Sequence, residues 1–553
     1  MNIVEFSIIF SYFFFVGRGL FIYVNNRKFE SIFNDSTTTL GLPQYFFYTL
    51  IALIYTGNLF FILNFLFPGD VNRLIILFSS LFLLYLNVGR RVNFNLSKFS
   101  IIGFFSIPVI LSISSYGSWL HYDAGLYHLG NQAWINNSKI VFGLGNLNIW
   151  YSWSSIYEYL SAFFTLSTNY IFIHYLNLLF VTLFFHFLLI SVDGKISSIY
   201  KNASIFLIIY GILDNFGING GNNGFITLQA IAKADIAFGI ILFLLFITIF
   251  NSVKNMVFKG NELFLVTLIQ IFLVQLKSTG YFLVPFYLFY IYKFYTNEKK
   301  IFKSDLSKSI LLIFIPVVWY VKNLIISGCL VFPIEITCFG ELVWYEKYTA
   351  QGISSWGRSI DRVYKFDENF LEWFIVWFEL DHNNQVLPNL IVTLLILFMI
   401  KKIFFYKDNH SKKFLFLSYL IILFIAWLST GAVFRFGYGI WLLLVTFLSL
   451  GTGNLKTPIK KISPSMLTFL LLFCCLMFPR MYSYKEVYES RFEYYSVYLN
   501  ENTYLDKDNS WGVVPLDTEK SLCWAEIECI QNKNDLIKLS QKNGYKIFQK
   551  ISY

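Results

Sequence analysis

Long apolar runs, broken at short intervals by clusters of lysine, arginine and asparagine, set the pattern of this chain almost from end to end. Runs that read as membrane-crossing helices cover residues 3–24, 45–67, 74–88, 99–115, 170–192, 203–213, 234–250, 263–276, 281–292, 310–326, 387–405, 414–428, 436–450 and 466–477. Several are shorter than the roughly 20 residues that a straight crossing needs. The pattern predicts an all-α polytopic membrane protein with about 12–14 transmembrane helices. The first run has neither a basic stretch ahead of it nor a small-residue cleavage site behind it, so it reads as a retained helix and not as a signal peptide.

The basic clusters predict an orientation. They are Arg27 and Lys28; Arg90, Arg91 and Lys98; Lys195 and Lys201; Lys254 and Lys259; and the stretches 293–308, 401–413 and 456–461. Placing all of them in the cytoplasm requires an even number of crossings between neighbouring clusters, which the apolar runs supply. The outer face then receives residues 116–169, 214–233, 329–386 and the tail. At the tail the composition turns polar, in runs such as NENTYLDKDNSWG. Residues 1–478 are therefore expected to form the transmembrane domain and 479–553 a small outer-face extension.

Composition excludes the soluble classes: of 553 residues, 56% are hydrophobic, 21% aromatic and only 14% charged. The net charge of +10 does not point to nucleic acid, because the cations fall in the short loops that fix topology. Cys523 and Cys529, in CWAEIEC, are a candidate disulfide on the predicted outer side, and Cys329 and Cys338 are a second candidate pair. Free thiols are the alternative for both. No CxxC or HExxH run marks a zinc site.

The chemistry-bearing stretch is SYGSWLHYDAGLYHLGNQAWI, residues 115–135, between two membrane runs. Asp123 is placed to cap a short amphipathic helix carrying Leu126, Leu129, Ala133 and Trp134. Capping needs one acceptor and leaves His121 and His128 unexplained. A carboxylate flanked by two imidazoles can serve as a general base or hold a divalent cation. Further on, Trp150, Trp153 and Tyr157 offer flat faces for sugar rings, the alternative being an interfacial aromatic belt. Lys277, Lys322 and Arg435 lie outside the cytoplasmic clusters, near the outer ends of helices. Together they suit a phosphate or diphosphate at the membrane surface, while snorkelling to lipid headgroups is the plain alternative for any one of them. Asp214 and Asp235 also face outward, and Asp235, beside Lys233, is a candidate second acid or a simple helix start.

These segments carry a resemblance. HYDAGLYHLGNQAWI, VFGLGNLN and SWSSIYEYLSAFF resemble the first outer loop of bacterial polytopic proteins found with surface-polysaccharide genes, a group similar to the GT-C class of membrane glycosyltransferases. WYVKNLIISGCLVFP, with Lys322 where that group usually has Arg, AVFRFGYG around Arg435, and CWAEIEC extend the likeness. It implies a GT-C-like fold in the bacterial cytoplasmic membrane, an active site on the outer face, and a sugar donor carried on a polyprenyl phosphate or diphosphate. Asp123 would be the base and His121 or His128 its orienting partner. Lys277, Lys322 and Arg435 would bind the donor phosphate. A single in-line displacement would invert the anomeric centre. The GT-C carboxylate commonly follows the first transmembrane helix, whereas several runs precede Asp123 here.

The expected function is thus an inverting membrane glycosyltransferase in O-antigen or capsule synthesis, acting on a glycan or lipid-linked acceptor. A repeat-unit polymerase is the nearest alternative, favoured by the long third loop and the tail. A transporter or flippase of lipid-linked saccharide is the second, disfavoured by the lack of a repeat between the two halves. Sugar, acceptor and metal requirement are not encoded legibly.

Overall fold

A computed structural model describes residues 2–26, 38–90, 94, 96–153, 155–166, 169–193, 196–215, 230–231, 233–345, 347–356, 359–360, 364–365, 368–407, 413–455, 466, 468–471, 497, 505–506, 514–515 and 537–550. The protein is overwhelmingly helical. In chain order the helices are α1 (Asn2–Asn26), α2 (Tyr48–Asn64), α3 (Gly69–Tyr85), α4 (Lys98–Leu111), α5 (Leu129–Asn137), α6 (Ile156–Phe164), α7 (Ile171–Asp193), α8 (Ser198–Asn215) and α9 (Asp235–Asn255). There follow α10 (Glu262–Leu276), α11 (Val284–Asn297), α12 (Lys299–Ser309), α13 (Phe314–Ser327), α14 (Lys347–Trp356), α15 (Phe370–Glu379), α16 (Asp381–Phe404), α17 (Lys413–Gly431) and α18 (Tyr438–Ser449).

Six stretches among the described residues are long and apolar enough to cross a membrane unaided: Asn2–Tyr23, Ile171–Asp193, Asp235–Asn255, Lys299–Ser327, Val386–Phe404 and Lys413–Gly431. Tyr48–Asn64, Ser100–Ser115, Glu262–Leu276 and Phe434–Ser449 are apolar but shorter. The chain is a polytopic helical membrane protein.

Two kinds of helix build the bundle. The spans in α7 and α9 are buried along their whole length and form its centre, whereas those in α16 and α17 keep most of their apolar surface outward. Ile391, Leu395 and Met399 on α16 and Ile421 and Ile425 on α17 are exposed in this way. No polar face distinguishes the two kinds in sequence, since lipid and protein neighbours accept the same side chains.

Close helix approach is set by small residues. At the crossing of α9 and α18, Gly239 and Gly439 face each other. A Cβ on Gly239 would come within 2.4 Å of the Tyr438 ring and 2.8 Å of the Gly439 nitrogen, and one on Gly439 within 2.8 Å of the Gly239 carbonyl oxygen. Only glycine permits this contact. Asp235 and Arg435 each lie four residues upstream of these glycines, so the crossing brings both toward the same spot.

Basic side chains gather at one end of the bundle. There Lys401 Nζ donates to the carbonyls of Leu448 and Leu450 at 2.5 and 2.7 Å, and Lys308 Nζ donates to Asn261 Oδ1 at 2.7 Å. Lys401 thereby satisfies carbonyls that the end of α18 leaves over.

The opposite end carries the loops. The described residues between 112 and 166 fold into a layer whose core holds Trp134, Val141, Leu144, Tyr151, Ile326 and Phe548. Phe548 comes from an antiparallel hairpin, Ile537–Lys542 with Tyr545–Lys550. Phe142 N–H donates to the Lys546 carbonyl at 3.0 Å, and Phe548 N–H donates to the Phe142 carbonyl at 2.9 Å. The end of the chain thus docks on the first large loop. Cys329 and Cys338 form a disulfide that packs beside Trp150. Cys523 and Cys529 lie outside the described residues, as does most of 479–553.

Candidate active site

The segment around Asp123 differs from the surface amphipathic helix expected of it. A single π-helical turn, Ala124–His128, runs into α5, whose Leu129, Gln132, Trp134 and Ile135 are buried within the loop layer. Such π turns are rare and cluster at functional positions. Asp123 accepts no capping hydrogen bond through its side chain. Its carboxylate instead faces charged partners, which removes the simple reading of Asp123 as a helix cap.

Four elements bring those partners together. A parallel bridge pairs Trp119–Leu120 with Ala230–Ile231, and His121 N–H donates to the Ile231 carbonyl at 3.4 Å. This lays the stretch holding His121 and Asp123 alongside Lys233 and Asp235. Ser155, which caps α6, also donates through Oγ to the Leu276 carbonyl at 2.7 Å, tying the loop layer to the residue before Lys277. Arg435 sits on a 3-10 turn, Phe434–Gly437, between α17 and α18. Three indoles hold the backbone there: Trp377 Nε1 donates to the Ala432 carbonyl at 2.7 Å, Trp427 Nε1 to Val433 at 2.9 Å and Trp441 Nε1 to Phe434 at 3.2 Å.

The result is a chain of alternating charges. His121 Nδ1 lies 3.2 Å from Asp123 Oδ2, Arg435 Nη2 lies 3.0 Å from the same oxygen, and Arg435 Nε lies 3.5 Å from Asp235 Oδ2. Lys277 Nζ closes the chain at 3.1 Å from Asp235 Oδ1 and rests 3.4 Å above the Phe436 ring. The Arg435 Nε contact lacks hydrogen-bond geometry, so the guanidinium is engaged fully on Asp123 and loosely on Asp235. Burial favours the neutral acid of Asp123, but the His121 hydrogen bond and the Arg435 charge outweigh it and hold the carboxyl down at about 2. Burial pushes Lys277 below its ordinary value, partly offset by Asp235, and Lys233 is lowered by burial and by Arg435.

His128 is turned elsewhere. Its Nδ1 meets Glu158 Oε1 in a buried contact, and Glu158 Oε2 accepts from Gln132 Nε2 at 3.0 Å. Glu158 was not singled out from the sequence; one glutamate in the aromatic run WSSIYEYL has no spacing that announces a partner thirty residues away. Asp123 and the two histidines therefore do not form one ligand set. Among the described residues no group of three or more His, Cys, Asp or Glu side chains is gathered to hold a metal ion.

Lys322 also stands apart from the other two expected phosphate ligands. It is fully buried, with Nζ 3.3 Å from the Trp319 ring centroid and 5.4 Å from that of Tyr159, and its amine has no hydrogen-bond partner among the described residues. The helical register of α13 turns it toward α6 and away from Arg435. Asp214 is buried and accepts from Asn389 Nδ2 at 3.4 Å. Of the three proposed sugar platforms, Tyr157 is a packing residue, fully buried against Phe180 because α6 is buried on every side. Trp150 is nearly covered, stacked with Tyr127 at 6.1 Å, while Trp153 remains 37% exposed and is the one ring with an open face.

The fold and this cluster define a class: polytopic membrane proteins with a charged, partly open site where the loop layer meets the helix ends. The chain belongs to the family described as a domain of unknown function, DUF8201, whose model matches residues 1–442. The match takes in every member of the cluster and stops within α18. No curated protein and no solved structure matches the chain.

Proposed function

We propose that this protein is an inverting membrane glycosyltransferase of GT-C type, acting at the outer face of a bacterial cytoplasmic membrane on a polyprenyl-(di)phosphate-linked sugar for surface-polysaccharide synthesis. One observation carries the reading: an ionised carboxylate, Asp123, shares a partly exposed site with Arg435 and Lys277 at the loop-bearing end of an apolar bundle. The reaction needs these two kinds of group side by side. The acceptor hydroxyl gives its proton to Asp123 as its oxygen bonds to the anomeric carbon. The bond from that carbon to the phosphate oxygen breaks, and the departing lipid phosphate carries its charge onto Arg435 and Lys277. His121 orients Asp123, and Trp153 offers a face for a sugar ring.

Two features support the outer face. The basic residues crowd the other end, as cytoplasmic ends do, and the Cys329–Cys338 disulfide lies on the side of Asp123, as an oxidising compartment allows.

The test is Asp123→Asn in place of the native residue, at equal membrane abundance, followed by gels of surface polysaccharide and lipid-linked intermediates. The expected outcome is loss or shortening of the polysaccharide with accumulated precursor. A ladder stalled at one repeat unit would identify a polymerase. An unchanged profile would remove Asp123 from the chemistry.

A further inference from the structure

The cations expected to receive the phosphate are already occupied. Arg435 is bound by Asp123 and approached by Asp235, and Lys277 is bound by Asp235. We infer that Asp123 and Asp235 stand on Arg435 and Lys277 where a lipid-linked phosphate stands when it binds, so that loading exchanges carboxylates for phosphate and releases Asp123 to act. The inference rests on the proposed function and adds to it how the site switches from unloaded to loaded.

Three observations carry it. First, exposure is unequal: the Arg435 side chain is 36% accessible, against 15% for Asp123 and 14% for Asp235. Of the three side chains, the cationic one is therefore the least covered. Second, the charges leave room for one anion. Arg435, Lys277 and Lys233 face Asp123 and Asp235, so the group carries one cation more than its carboxylates. The Arg435 nitrogen best placed to take that anion, Nη2, is the one held by Asp123 Oδ2, so anion and carboxylate compete for the same donor. Third, the backbone beneath Arg435 is fixed by the three tryptophan N–H donors while its Nε contact to Asp235 is loose. Exchange then needs only a side-chain swing, since the guanidinium presents a planar fork that fits phosphate as well as carboxylate.

The consequence for chemistry is direct. A carboxylate clamped by Arg435 is a poor proton acceptor, because accepting the proton breaks that ion pair. Once phosphate takes the guanidinium, Asp123 loses its one direct cation contact, and its affinity for a proton rises at the moment that an acceptor hydroxyl needs it.

Equilibrium binding of farnesyl phosphate to the purified full-length protein in nanodiscs tests this. Arg435→Gln is expected to weaken binding about tenfold or more, and Asp235→Asn to tighten it about threefold to tenfold by removing a competitor. Should Asp235→Asn fail to fold, Asp123→Asn removes the other competing carboxylate and carries the same expectation. Weaker or unchanged binding in the folded Asp-to-Asn variant, with native binding in the wild type, overturns the exchange and leaves the proposed function standing. No binding by folded wild-type protein overturns the proposed function and the exchange with it. Displacement of farnesyl phosphate by phosphatidylglycerol at equal concentration identifies an ordinary lipid headgroup as the occupant and overturns the assignment to a polyprenyl phosphate.

Discussion

Two histidine–carboxylate pairs lie within one loop layer and have opposite surroundings. His121 and Asp123 retain 23% and 15% of their side-chain exposure and share the carboxylate with Arg435. His128 and Glu158 retain 6% and 2%, and the second carboxylate oxygen is taken by Gln132. Both pairs join an imidazole Nδ1 to a carboxylate, and they differ in access and in the Asp123 N–H that His121 Nδ1 also accepts at 3.1 Å. A pair that is sealed fixes the loop's shape, because both carboxylate oxygens are taken by protein. A pair that is half open and shares its carboxylate with a guanidinium leaves that ion pair within reach of solvent. The same sequence stretch thus supplies a sealed histidine and an accessible one seven residues apart, and only the tertiary structure tells which is which.

The comparison breaks most visibly at Glu158. Glu158→Ala leaves the His128 imidazole and the Gln132 amide buried without an acceptor, and is expected to cost about 3–5 kcal/mol, enough to lower the yield of folded protein sharply. His121→Ala, beside the open pair, is expected to cost about 1 kcal/mol or less. Thermal melts of both variants in detergent, read by size-exclusion fluorescence, check this. Equal losses would mean that the two pairs do the same structural job.

A smaller effect is expected at the glycine crossing. Gly239→Leu forces α9 from α18, with an overpacking cost of about 1–3 kcal/mol, and widens the gap between Asp235 and Arg435. The melting temperature should fall moderately while farnesyl phosphate binding drops by more than the stability loss accounts for. A variant that melts early yet binds normally would show that the crossing supports the bundle without setting the site.

Much of this was legible in the chain. Apolar runs and basic clusters marked out the helices and the loop-bearing end; Lys277 and Arg435 stood out because charge near a membrane run is costly, Asp123 because two histidines flank it, and Asp235 because it sits beside Lys233. The rest depended on long-range contacts that leave no periodic trace. Glu158 reaches His128 from another helix, the bridge from Trp119–Leu120 joins Ala230–Ile231 across more than a hundred residues, and the three indole donors that hold the Arg435 turn come from α15, α17 and α18. Lys322 and Tyr157 both face protein, for different reasons: the rotation of α13 turns Lys322 onto Trp319 and Tyr159, whereas α6 is covered on every side and buries Tyr157 whichever way it turns.

The smallest expected effect concerns acid. The Asp123 carboxyl is held at about 2, below its ordinary value of 3.8, by His121 and Arg435 acting against burial. A group whose folded value is depressed contributes stability that is complete above the unfolded value and disappears as pH falls through the folded one. The stability difference between wild type and Asp123→Asn should therefore be constant from about pH 8 to about pH 4.5 and close only as pH drops toward about 2. Its size is modest, about 1 kcal/mol or less, because the pair is partly solvated. Parallel melts across that pH range measure it. Closure already by about pH 4 would show that the carboxyl titrates at its ordinary value. In that case Arg435 would not be the group that keeps Asp123 ionised.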